Sequence, residues 1–208
     1  MVKKFIILFM AMSLFTSYSA WAQDINEIKQ QIEQTAAKMQ TMQCDFVQTK
    51  HLKMLDEKMV SKGKMSYQQG NKLRWEYTSP YSYIFILNEN KVVIKNKYRS
   101  DEINIQQNKM FKEIVRIMMN SVVGKCLSDE KRFKVDLSVA GNEWIAGLTP
   151  QSKDMRQMFK KINIHFDKKA MMVSVVELFE SNGDKTLIEL KNVQQNKPLD
   201  AQTFSINN

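Results

Sequence analysis

The chain has 208 residues, 43 % of them hydrophobic, with 31 basic side chains against 22 acidic ones, two histidines, two cysteines and six glycines. That length suits one domain with a buried core or an enclosed cavity, and the scarcity of His and Gly argues against His-based metal or hydrolytic chemistry and against a glycine-rich phosphate cradle. The lysines are spread along the chain, as on a solvated mixed-charge surface, so the positive balance needs no nucleic-acid partner.

Lys3 and Lys4 precede an unbroken apolar run from Phe5 to Met12, and Ala20-Trp21-Ala22 stands before Gln23. This is the layout of a secretory signal peptide over residues 1–22, which predicts an exported chain of one domain, residues 23–208. No later stretch approaches the roughly 20 apolar residues that a membrane-spanning helix needs. A lipid-anchored export product needs a cysteine at the cleavage point, and the first cysteine is Cys44. Loss of Lys3 and Lys4 leaves a net charge of +7 on the 186 residues that follow the signal peptide, enough to draw the protein toward an anionic membrane surface. Cys44 and Cys126 are an even pair in an oxidising compartment; a disulfide between them is permitted, and two separate buried thiols are the commoner alternative.

From Asp24 to Met42, Ile25, Ile28, Ile32, Ala36 and Met39 recur at spacings of three and four, which predicts an amphipathic helix with Asp24 as a candidate N-cap. At Gln43 the rhythm changes to period two: Cys44, Phe46 and Gln48, then Met65 and Tyr67, then Leu73, Trp75 and Tyr77 share one face of successive strands. The stretch to Lys97 is a meander, with turns at Gln69-Gly70-Asn71 and Asn88-Glu89-Asn90 and with Pro80 closing the third strand. Between Asn108 and Gly124 helical spacing returns in Met110, Phe111, Ile114, Val115, Ile117, Met118 and Val122, with Gly124 as the C-cap. Strand patterns resume at Phe133–Leu137, Glu143–Leu148, Lys161–Phe166, Met172–Phe179 and Thr186–Val193, the last two separated by Ser181-Asn182-Gly183-Asp184. The expectation is a mainly β (α+β) domain of ten or eleven antiparallel strands with two or three helices. A sheet of that size curls to hide its edges, and a helix across its mouth makes it a container.

His51 and His165 fall in different strands with no companion at ligand spacing. There is no Gly-x-Ser-x-Gly elbow and no Ser-x-x-Lys, and the acidic pairs Asp56-Glu57 and Asp129-Glu130 flank strand starts as turn residues. No catalytic residue, metal or cofactor is expected.

Phe46-Val47-Gln48 after the first helix, Gly63 with an aromatic four residues on, Leu73-Arg74-Trp75-Glu76-Tyr77 before Pro80, the turn Asn88-Glu89-Asn90-Lys91, the helix from Met110, the strand Trp144 to Pro150 and Phe204 near the end follow one another in order. Together they resemble the LolA family of outer-membrane lipoprotein carriers. The resemblance implies an incomplete antiparallel β-barrel, lidded by helices, whose apolar cavity shields the acyl chains of lipoproteins in the periplasm after an inner-membrane ATP-driven complex releases them. An outer-membrane acceptor of unidentified nature would receive them. Trp75 matches the family's cavity tryptophan and Leu73 its neighbour. Tyr77, Met65 and Tyr67 join the cavity set by alternation, as does Phe46, and Phe111, Ile114, Val115 and Met118 form the lid by helical spacing. One departure stands out: many members carry Arg-Pro shortly before the Trp75 strand, the arginine tying the lid shut, where this chain has Gln69-Gly70.

The reading that follows is a monomeric, non-enzymatic carrier of acylated lipoproteins. Its alternatives are a carrier of another lipid or lipid-linked molecule in the same cavity, and an interaction or sensor module whose apolar face docks a protein.

Overall fold

The computed structural model describes residues 16–107 and 109–205. The first helix, α1 (Thr16–Lys38), is followed by six strands in a meander: β1 (Thr41–Leu52), β2 (Glu57–Gln68), β3 (Lys72–Ser79), β4 (Tyr83–Asn88), β5 (Lys91–Asn96) and β6 (Ser100–Asn104). A 3-10 turn (Ile105–Gln107), the helix α2 (Lys109–Val123) and a second 3-10 turn (Lys125–Ser128) lead to β7 (Phe133–Ala140) and β8 (Glu143–Pro150). The short helix α3 (Lys153–Met158) precedes β9 (Phe159–Asp167), β10 (Val173–Glu180) and β11 (Lys185–Gln195).

All eleven strands form one antiparallel sheet in the order β6-β5-β4-β3-β2-β1-β11-β10-β9-β8-β7. Strand number and the mainly β character agree with expectation. The sheet is open: β6 and β7 are its two edges. It curls nonetheless. Ile94 on β5 and Phe159 on β9 line one cavity, although they stand seven places apart in the strand order, a span of about 34 Å if the sheet were flat.

Local chemistry accounts for the turns. Gly70 (φ 97°) and Asn71 (φ 62°) occupy the left-handed region between β2 and β3, and Gly124 (φ 79°) ends α2 as expected. A side chain at Gly124 would meet Phe166 at 2.9 Å, so this glycine also lets α2 and α1, through Ile32, close on β9. Asp24 is not an N-cap. The helix runs on upstream from Thr16, because residues 16–23 contain neither Gly nor Pro to stop it. It also ends at Lys38, four residues short of expectation, where Gln40 and Thr41 turn the chain into β1 and the Asn196 side-chain oxygen accepts from the Gln40 amide at 2.8 Å.

The predicted signal peptide falls mostly outside the described residues, in 1–15. No helix among the described residues is long and apolar enough to cross a membrane.

The core fills one end of the curled sheet. Met42, Met65, Tyr67, Leu73, Leu87 and Val92 are buried there with Ile28, Ile32 and Met39 of the α1 segment. Phe204 is also buried, and its carbonyl accepts from Asn88 at 3.3 Å at the same end. The expected possible bridge between Cys44 and Cys126 does not form. Both are free thiols, buried on separate elements: Cys44 lies in β1 opposite Met65, and Cys126 lies in the 3-10 turn after α2. Burial pushes both thiols up to about 12.

Candidate functional site: an apolar cavity beneath α2

Toward the other end of the sheet the packing stops short. A cavity of about 380 Å³ lies between the concave face and α2, at the lower end of the roughly 300–1,000 Å³ that ligand sites enclose. β3 contributes Trp75 and Tyr77, β4 and β5 contribute Tyr83, Phe85 and Ile94, and β9 to β11 contribute Phe159, Val176, Leu178, Ile188 and Leu190. The α2 wall is Val115, Ile117, Met118, Ser121 and Val122. Alternation explains the strand set: Trp75 faces Phe85 and Tyr77 faces Tyr83 across the β3–β4 ladder, and Val176 faces Ile188 across β10–β11.

The expected site residues divide. Trp75, Tyr77, Val115 and Met118 line the cavity. Leu73 and Tyr67 share the predicted face but sit in the filled end, and Met65, level with Trp75 across the β2–β3 ladder, is packed without lining the cavity. Phe46 lies behind the wall, its ring centroid 4.4 Å from that of Trp75 and 5.1 Å from that of Tyr77, and so sets the position of both. Gly63 makes this possible: a Cβ there would fall 2.4 Å from the Phe46 ring and 2.1 Å from the Glu76 carbonyl. Phe111 and Ile114 belong to α2, but their side chains lie outside the described residues.

The cavity wall carries few polar groups, and those few are placed at its mouth or on the lid. The Tyr77 hydroxyl donates to the Gln48 side-chain oxygen at 2.8 Å, and its ring stacks on Tyr83 at 4.3 Å. Burial, with Tyr83 adding to it, pushes the Tyr77 phenol up. Thr186 donates to Glu180 at 2.9 Å, and Lys50 lies 3.1 Å from Glu180 and 3.7 Å from Asp184, closing the mouth on that side with an ion pair. Ser121, 3 % exposed on α2, has no hydrogen-bond partner among the described residues.

The lid is tied down by its own arginine. Arg116 of α2 pairs with Asp129 and, at 2.6 Å, with Glu113; Arg132 joins both carboxylates at 3.3 and 3.5 Å. Asp129 is therefore more than a turn residue. Lys29 of α1 reaches Glu130 at 2.7 Å. Arg74 points to the opposite face of β3, paired with Glu76 at 2.9 Å. His165 sits on the convex face against Glu143 at 2.8 Å. No group of three or more His, Cys, Asp or Glu among the described residues is arranged to hold a metal.

Sequence reasoning missed Phe85, Ile94, Phe159, Leu178 and Ile188 as wall residues. Phe159 lies two residues before the Lys161–Phe166 pattern and the others lie on strands with a readable period, and alternation from Trp75 through the β3–β4–β5 ladders reaches Phe85 and Ile94.

Comparison with known proteins agrees with this architecture. The chain is 24 % identical over 197 residues to an outer-membrane lipoprotein carrier protein of Nitrosospira multiformis, covering 94 % of this chain and 89 % of that one. It is 27 % identical over 147 residues to the protein of the same description from Cupriavidus necator, covering 70 % of this chain and 65 % of that one. An uncharacterized conserved protein from Thermus thermophilus shares the fold, with a TM-score of 0.54 at 10 % identity over 86 % of this chain and 92 % of that one. Residues 37–207 match the family described as outer membrane lipoprotein carrier protein LolA, and the chain belongs to that family.

Proposed function

We propose that the protein is a periplasmic carrier that shields the acyl chains of lipoproteins in the cavity beneath α2 while they cross from the inner toward the outer membrane. The observation that carries the reading is the unfilled, aromatic- and aliphatic-lined space at one end of an otherwise packed sheet. Each buried methylene contributes about 0.8 kcal/mol, so an acylated protein does not leave a membrane at a useful rate unless its chains have somewhere dry to go. Ser121 adds chemistry to the shape: a buried hydroxyl without a partner among the described residues suits the ester or amide carbonyl that heads an acyl chain.

The volume as it stands accommodates part of a multiply acylated ligand, so loading includes displacement of α2. The Arg116 network holds the lid from its own side, and in this role it stands where the family's arginine tie is missing. Loading from an inner-membrane ATP-driven complex and delivery to an outer-membrane acceptor complete the reading.

A photo-crosslinking amino acid at Met118, which faces the cavity from the lid, tests it directly in living cells. Adducts dominated by acylated lipoproteins are expected. Adducts with free lipid alone would move the assignment to a carrier of another lipid, and adducts with one non-lipidated protein would replace the carrier with an interaction module.

A further inference from the structure

Four hairpin turns stand at the end of the sheet where the cavity opens: 53–56 between β1 and β2, 80–82 between β3 and β4, 97–99 between β5 and β6, and 181–184 between β10 and β11. Of the eight large hydrophobic side chains exposed among the described residues, seven belong to this end, the exception being Val139. Met54 is 94 % exposed, Leu55 62 %, Tyr81 78 % and Tyr98 88 %. Scattered surface apolar residues are ordinary; their concentration on the turns around one cavity mouth is not explained by packing.

The β1–β2 hairpin projects furthest. Its β3 partner stops at the pair Lys62 and Ser79, so residues 57–61 of β2 run on without a neighbour on that side, about 17 Å at 3.3 Å per residue. Met59 lies opposite Lys50 in this extension and carries the concave face outward beyond the mouth. The base is held firmly. The Lys53 amide donates to Asp184 at 3.0 Å, which keeps the Asp184 carboxyl below its ordinary range, and the Lys53 side chain packs over Gly183. A flexible loop would fold its apolar tip back; this one presents it.

Charge completes the pattern. The first tip carries Lys53 and Lys58 with Asp56 and Glu57 between them, the third tip carries Lys97, and none of these three lysines forms an ion pair among the described residues. The contact points sit on separate turns rather than in one concave patch, an arrangement that a plane satisfies and a shaped protein pocket does not require. Apolar tips, tyrosines with one polar end and flanking lysines are the components that a membrane interface accepts at increasing distance from its hydrocarbon.

We infer that this end of the sheet docks on an anionic lipid bilayer, with Met54 and Leu55 entering the interface, Tyr81 and Tyr98 at headgroup level, and Lys53, Lys58 and Lys97 against anionic headgroups. The mouth of the cavity is then presented to the bilayer, and an acyl chain passes between lipid and cavity without crossing bulk water. What passes rests on the carrier reading; the docking does not.

The test is co-sedimentation of the purified protein with vesicles of phosphatidylethanolamine and phosphatidylglycerol, and with vesicles of phosphatidylcholine alone. Binding to the anionic vesicles is expected, weakened at 0.5 M salt, where screening shortens to a few ångströms. The double substitution Met54→Asp, Leu55→Asp is expected to lower the bound fraction about tenfold. Both positions are exposed, so its thermal melting and its uptake of a fluorescent fatty acid in vesicle-free buffer stay at wild-type level. Wild-type protein that remains in the supernatant with anionic vesicles overturns the inference and assigns the tips to a protein partner. A double variant that sediments like wild type overturns it as well. A second variant, Leu178→Trp, separates the two readings: it lowers fatty-acid uptake by filling the cavity and leaves vesicle binding unchanged.

Discussion

The two ends of the sheet are built from the same strands and end up in opposite states. β3 supplies Leu73 to the packed end, where it has no exposed surface, and Tyr77 to the cavity wall, four residues or about 13 Å further along. Side-chain size does not make the difference, since both ends are rich in large apolar residues. Cover does. Over the packed end lie α1, with Ile28, Ile32 and Ala36, and Phe204 from the C-terminal segment; over the other end lies α2, with α3 at the margin beside the 181–184 turn, and the cavity lies below α2. A chain built this way keeps its packed core in one half of the molecule and its open space in the other.

The contrast can be broken at its strongest point first. Leu73→Ala removes a side chain from a filled region and is expected to cost about 2–5 kcal/mol in urea denaturation, whereas Leu178→Ala, which already faces empty space, costs a small fraction of that. Equal losses at both positions would mean that the cavity wall carries the fold. Next in size is Gly63→Ala, whose new methyl group meets a backbone carbonyl and the Phe46 ring; overpacking of this kind costs about 1–3 kcal/mol. Because Phe46 backs Trp75 and Tyr77, the same variant should also shift Trp fluorescence and weaken fatty-acid uptake, joining the two ends through one residue. Thr186→Val removes the hydroxyl that donates to Glu180 and is expected to cost about 1 kcal/mol, with fatty-acid uptake unchanged or improved.

The last effect is absent at neutral pH and grows only in alkali. Cys44 and Cys126 have thiols pushed by burial to about 12, above the ordinary 9 of an unfolded chain. The folded state therefore holds more protons than the unfolded one between those values. The stability this contributes is complete below pH 9 and is lost as pH rises toward 12. Denaturant midpoints measured from pH 8 upward should fall, and should fall less in Cys44→Ala, Cys126→Ala after correction for its neutral-pH midpoint. Native protein at pH 8 should also resist iodoacetamide until denatured.

Much of this was legible from period alone. The alternation of Leu73, Trp75 and Tyr77 placed all three on the concave face, and the spacing of Val115 and Met118 placed the lid. Depth along the strand was not legible: nothing local distinguishes Leu73, which is core, from Tyr77, which lines the cavity, because the distinction is made by helices remote in sequence. The start of α1 was misplaced because Asp24 has the chemistry of a cap but a helix-compatible chain before it. The helix α3 was missed for its length of six residues, too short to show a period. The β1–β2 projection is invisible in either strand separately and follows only from where β3 stops.

The sheet's open seam has a mechanical consequence. In a closed barrel the ladder hydrogen bonds fix the circumference, and a larger guest must break some of them. Here no ladder joins β6 to β7, and the chain crosses that gap through α2 and its flanking 3-10 turns. The girth of the container and the height of its lid are thus set by one segment. On the proposed reading, a bulkier guest that raised α2 would draw on the slack at the seam, and capacity would grow while every strand pair stayed intact.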